Sequence, residues 1–216
     1  MSPPSSPPAP QEPPVGPGSA WGRHLFDYPP AAPRLWWLIT LGGAAALVAA
    51  VLLLLHHTPQ VAQTPALLLA GLALVALAAM FPVQIPRTRY TLIVADIFIF
   101  LLLVQVGPPA AVLAAGVEAL IGVKRSSKRL SSHISGPAAA LVAMALGAVV
   151  FVLMSEALAL AGLSAPNAAL LALCLAAPVP VMLSTGLLMV MFARKRGEGL
   201  ALADWWSSVT WIVALA

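Results

Sequence analysis

The sequence predicts an all-α, polytopic transmembrane helix bundle with six full spans and an incomplete seventh apolar segment. Of the 216 residues, 61% are hydrophobic and only 8% are charged, against roughly one quarter charged in a soluble domain. Aromatic residues make up 6%, so the apolar content comes from Ala, Leu and Val, which suits close helix packing in a bilayer. Apolar segments long enough to cross a ~30 Å hydrocarbon core recur between short basic clusters.

Residues 1–34 hold eleven prolines among Ser, Ala, Gly and Gln. This segment has too little apolar surface to offset the entropy of folding, so a disordered tail is expected. It is not a secretory signal, because no basic region near Met1 runs into an apolar core. Residues 35–216 form the bundle. The first span is expected from Leu35 to Leu55, led by Arg34 and an interfacial pair, Trp36 and Trp37. The second runs from Pro65 to Phe81 and the third from Tyr90 to Val106. A hinge at Gly107, Pro108 and Pro109 breaks the third span, and the fourth extends from Pro109 to Val123. The fifth covers Pro137 to Leu163, and the sixth Asn167 to Ala193, with a kink at Pro178 and Pro180. The segment "LADWWSSVTWIVALA" is too short to cross. It is expected to be either an interfacial cap or, preferably, the front of a span cut by the end of the sequence.

Every lysine and arginine falls in alternate loops: Arg23 and Arg34, then Arg87 and Arg89, then Lys124 to Arg129, then Arg194 to Arg196. The positive-inside rule places the amino terminus and these loops in the cytoplasm. The net charge of +4 is thus a topology signal rather than a nucleic-acid surface. Cys174 is the sole cysteine, which excludes an intrachain disulfide and leaves it as a small buried hydrophobe.

Two acids stand inside apolar segments. Taking Gly107 as the turn, Asp96 lies eleven residues before it and Glu118 eleven after, so an antiparallel hairpin brings both to one level. At 1.5 Å per residue that level is roughly 9 Å inside the ends at Tyr90 and Lys124. Bare carboxylates in hydrocarbon are costly, so a shared proton, a bound cation or ligand, or an arginine must compensate them. Arg87 and Arg89 are placed to pair with Asp96. The two acids are therefore read either as a clasp between helices or as a ligand, ion or proton site. Glu156 is expected near the outer surface, His56 and His57 in a solvated loop, and His133 at the interface. No spacing of nucleophile, metal ligands or phosphate-binding glycines occurs, so neither a catalytic site nor a metal or other cofactor is expected within these residues.

The stretch "FPVQIPRTRYTLIVADIFIFLLLVQVGPPAAVLAAGVEALIGVKRSSKR", Phe81 to Arg129, resembles the amino-terminal membrane region of bacterial signalling proteins with GGDEF, EAL or HD-GYP output domains. The likeness lies in the Phe-Pro-x-x-x-Pro-Arg entry, the early Asp, the Gly-Pro hinge and the Glu before a basic loop. It covers about a quarter of the chain. It implies a sensory and anchoring module in the bacterial inner membrane, coupled to a cytoplasmic domain that makes or degrades cyclic di-GMP. No output signature occurs in these 216 residues. The same hairpin also looks like the six-span, substrate-binding subunits of energy-coupling factor vitamin transporters. Those dock on a coupling subunit through small residues of the first helix, here "GGAAALVAA" from Gly42 to Ala50. The expected partners are the lipid bilayer, with a second copy of the chain in a homodimer or a cytoplasmic output domain, and no nucleic acid.

Overall fold

The computed structural model describes residues 33–57, 64–81, 83–84, 91–92, 94–126 and 130–196. These are almost wholly helical: α1 (Pro33–His57), α2 (Thr64–Met80), α3 (Ala95–Gln105), α4 (Pro108–Ser126), α5 (Leu130–Leu160), α6 (Ala165–Ala176) and α7 (Pro178–Arg196). Between α2 and α3 a two-residue pair, β1 (Val83–Gln84) and β2 (Thr91–Leu92), is antiparallel, with Val83 opposite Leu92. The proline-rich tail before Pro33 and the apolar segment after Arg196 lie outside the described residues.

Proline punctuates the chain. Pro33, Pro65, Pro108, Pro166 and Pro178 each stand in the first turn of a helix, where the missing N–H would have no intrahelical acceptor and the fixed φ suits helix entry. The expected kink in the sixth span falls at such a proline: α6 ends at Ala176 and α7 starts at Pro178, with Ala177 between them in helical geometry and bonded to the Leu173 carbonyl. Pro137 is the exception, lying inside α5. That helix starts at Leu130 rather than Pro137, and its first turns are held by buried polar contacts. Ser135 Oγ donates to the Ser131 carbonyl at 2.9 Å, and Trp36 Nε1 donates to the same oxygen at 3.3 Å. Trp36 is thus buried against α5, whereas Trp37, edge-on to it at 5.1 Å, stays exposed.

Helix ends follow from backbone accounting. The Leu102 carbonyl accepts from the N–H groups of Val106 and Gly107, and the Gly107 carbonyl accepts from Ala110 and Ala111. Gly107 therefore closes α3 and opens α4, with a φ of 112° that disfavours any residue bearing a Cβ. At the end of α5, Gly162 has φ 91°, Leu163 N–H bonds to Leu158 and Gly162 N–H to Ala159, the paired bonds of a Schellman stop.

Three stretches are long and apolar enough to cross a membrane: Arg34–His56, Ser131–Leu160 and Ala165–Met191. Pro65–Met80 and Ala95–Gln105 are shorter apolar helices. The largest departure from the sequence expectation is the third segment. It begins as the strand Thr91–Leu92 and becomes helical only at Ala95, so its eleven helical residues rise about 16 Å, half the thickness of the hydrocarbon.

The centre of the bundle is α5, which packs on α1, α4, α6 and α7, while α2 and α3 pack on α4. The seams are made of small residues. Ala168, Ala172 and Ala176 form a buried stripe on α6, and Ala110, Ala111, Ala114 and Ala115 do so on α4. Where α1 meets α5, a Cβ added to Gly43 would stand 2.5 Å from Ala138 Cα and 2.8 Å from its carbonyl oxygen. Gly43 opposes Ala138 and Trp36 opposes Ser131, so both contacts advance together and the two helices run parallel. Gly116 against Leu141 and Gly136 against Val123 give the reverse order, so α4 and α5 are antiparallel. Cys174 is exposed on α6 rather than buried, because that helix turns its alanine stripe inward.

Gly43→Ala is expected to lower the unfolding midpoint of the purified chain in detergent, at a cost of about 1–3 kcal/mol for overpacking against backbone. Gly122→Ala, whose added Cβ would meet nothing within 4 Å, is expected to be neutral or stabilising by up to ~1 kcal/mol. Equal midpoints for the two variants would rule out the close α1–α5 approach.

Candidate functional site

The site is assembled where α3 begins beside α4. Asp96 lies in the first turn of α3. Val94 is the residue at its N-cap and makes no side-chain cap, so the positive end of the helix dipole favours a negative charge close by, which Asp96 supplies. Glu118 projects from α4, half-buried, while Asp96 is exposed at the surface of the chain. Asp96 and Glu118 lie on the two arms of the hairpin, eleven residues either side of the Gly107 turn. Asp96 is not deep within a long helix as expected; it stands at the start of a short one.

Among the described residues neither carboxylate has a hydrogen bond or an ion pair. Arg87 and Arg89, the expected counter-charges, lie outside the described residues. Pro108 and Pro109 open α4 beyond the Gly107 turn, so this hinge joins the arms that carry the two acids. No group of three or more His, Cys, Asp and Glu side chains suited to a metal ion occurs among the described residues. Glu156 is exposed near the end of α5 and His56 near the end of α1, while His133 is half-buried in the first turns of α5.

Arg125 has a role that the basic cluster alone does not signal. From the last turn of α4 its Nη1 donates to the carbonyl oxygens of Ala79 at 2.8 Å and Met80 at 3.1 Å. Helix α2 has no basic residue in its own last turn. Its terminal carbonyls therefore take a cation from a neighbouring helix, which satisfies orphan acceptors and opposes the negative end of the helix dipole. The clue in the sequence is the pairing of an uncapped "LAAMFP" terminus with an arginine ending another helix that runs the same way. Arg125 and Glu118 are two turns apart on one face of α4, so α4 carries both a member of the acid pair and the cap of α2.

With fold and site described, comparison with known proteins gives no relative: no family model, curated protein or solved structure matches the chain. The fold and composition define the class, a helical membrane protein built around one long central helix.

Arg125→Gln is expected to destabilise the chain by about 1 kcal/mol and to speed hydrogen exchange at the end of α2 ahead of α5; unchanged exchange there would refute the cap. In a double-mutant cycle, Asp96→Asn and Glu118→Gln are expected to be non-additive in unfolding free energy by about 0.5 kcal/mol or more. Strict additivity would mean that the two acids do not share an environment.

Proposed function

We propose that the chain is the membrane-embedded input and anchoring module of a bacterial signalling protein, joined to a cytoplasmic output domain of the diguanylate cyclase type. In this reading the amino terminus and the basic loops are cytoplasmic. Six apolar segments cross the inner membrane, with α6 and α7 forming one crossing and α3 completed by the residues that lead into it.

The observation that supports the reading is the α3–α4 hairpin about Gly107, which carries Asp96 on one arm and Glu118 on the other. Two acids on the arms of one hairpin, Asp96 in the first turn of α3 and Glu118 within α4, make the hairpin sensitive to whatever neutralises one of them. A signal can shift such a module only by favouring one arrangement over another, and neutralising one acid is a source of such a difference. Helix α4 then carries the change to the basic end of the bundle, where Arg125 holds the end of α2. Of the stretch Gly42–Ala50 named for the transporter alternative, Gly42 and Gly43 pack on Val142 and Ala138 of α5, while Ala44, Ala45 and Ala49 are exposed, so small residues remain free for a coupling subunit.

The test is the cyclic di-GMP content of cells expressing the native gene, its Asp96→Asn form and its Glu118→Gln form. A change with the native gene that shifts severalfold in either variant, at equal membrane abundance, is the expected outcome. A native gene that leaves cyclic di-GMP unaltered, or variants that match it, would overturn the reading.

A further inference from the structure

The junction of α6 and α7 has at most half the backbone bonding of a continuous helix. There the four N–H groups of residues 178–181 would bond back to the carbonyls of residues 174–177. Two of the four belong to Pro178 and Pro180, which have no N–H, so the carbonyls of Cys174 and Ala176 lose their helical donors. Ala177 keeps helical geometry and its N–H bonds to Leu173. The chain thus continues in direction but not in stiffness. The junction lies inside the apolar stretch Ala165–Met191, where no water replaces the lost bonds.

Helix α7 is also the least anchored of the helices. None of its described side chains is buried, whereas each of α1 to α6 has at least one buried residue. An element with few buried contacts stands at the low-stability end of a structure. Two contacts locate it. Near the junction the Pro180 ring lies on Gly147 of α5, where an added Cβ would stand 2.8 Å from Pro180 Cδ. Further along, Leu187 and Met191 pack against Ile39 of α1 and against Ala138 and Ala139 of α5. At Gly147 the ring meets a surface without a side chain, so nothing on α5 interlocks with it.

We propose that α7 is a lever, hinged at Pro178–Pro180 and bearing on Gly147, whose far end makes and breaks its contact with Ile39, Ala138 and Ala139. A hinge of this kind confines the change to a few residues at an element's end and leaves the helices on either side rigid. The movement goes beyond the signalling reading, which places the responsive element on the α3–α4 hairpin.

The test is pulsed electron–electron double resonance on the full chain in lipid nanodiscs, with Cys174→Ser removing the native thiol. One spin-label pair, at Leu170→Cys and Leu188→Cys, spans the junction. A second pair, at Leu38→Cys and Leu55→Cys, spans a similar length of α1 without a proline, and all four positions are exposed. The junction pair is expected to give a distance distribution about twice as wide as the α1 pair, or wider. Pro178→Ala with Pro180→Ala, which restores both N–H donors, is expected to narrow it to the α1 width. Gly147→Ala, which crowds the Pro180 ring, is expected to shift the junction distance and leave the α1 pair unchanged. A junction pair as narrow as the α1 pair in the parent would overturn the proposal. So would a double-proline variant that keeps the parent's width, or an unshifted junction distance in Gly147→Ala, which would mean that α7 does not bear on α5 there.

Discussion

The bundle depends on how closely backbones can approach α5. Apolar side chains gain little by leaving lipid for the surface of another apolar helix, so association must come from van der Waals contact at short range and from hydrogen bonds. Gly43 sets the backbone of α1 directly on Ala138, Gly136 admits Val123 of α4, and Gly147 admits Pro180 of α7. Three helices therefore meet α5 where one partner lacks a side chain. The same closeness lets Trp36 reach the Ser131 carbonyl, which would be out of range across a seam of larger residues. Helix α5 is the most inward of the three candidate spans, with 44% of its apolar window buried, against 17% for α1 and 11% for the α6–α7 stretch.

The candidate site depends on a different constraint, the need to satisfy every backbone group away from water. Helix α3 covers only about half a bilayer, and the chain before it turns back through a short antiparallel pair. Its first turn has no side-chain cap, and Asp96 places a carboxylate in that turn, at the positive end of the helix dipole. The positive end of a helix thus compensates one of the two acids. Arg125 answers the opposite need, placing a cation at the negative end of α2. Both devices belong to the same group of helices, α2, α3 and α4, where Asp96 and Arg125 each stand at a helix end.

Much of this was legible in the residues. The hairpin about Gly107, with Asp96 on one arm and Glu118 on the other, was legible because a Gly-Pro pair ends one helix and starts the next. The prolines at 33, 65, 108, 166 and 178 mark helix starts, because a residue without an N–H fits the first turn and few other helical positions. The contact of Trp36 with the Ser131 carbonyl was not legible, since an indole at a helix end suits both an interfacial position and a buried contact with backbone. Cys174 was misread because an apolar helix of low amphipathicity does not reveal which side faces its neighbours.

The sequence by itself determined that this is a helical membrane protein and that several of its helices begin at prolines, since these follow from composition and proline chemistry. Only the tertiary structure decided that α3 is half-length, that α5 is central and that Arg125 caps α2. Each of these depends on which helix faces which, and in a chain made of Ala, Leu and Val nearly every face is apolar. Side-chain polarity leaves the choice of partner open there, and close fit between backbones settles it.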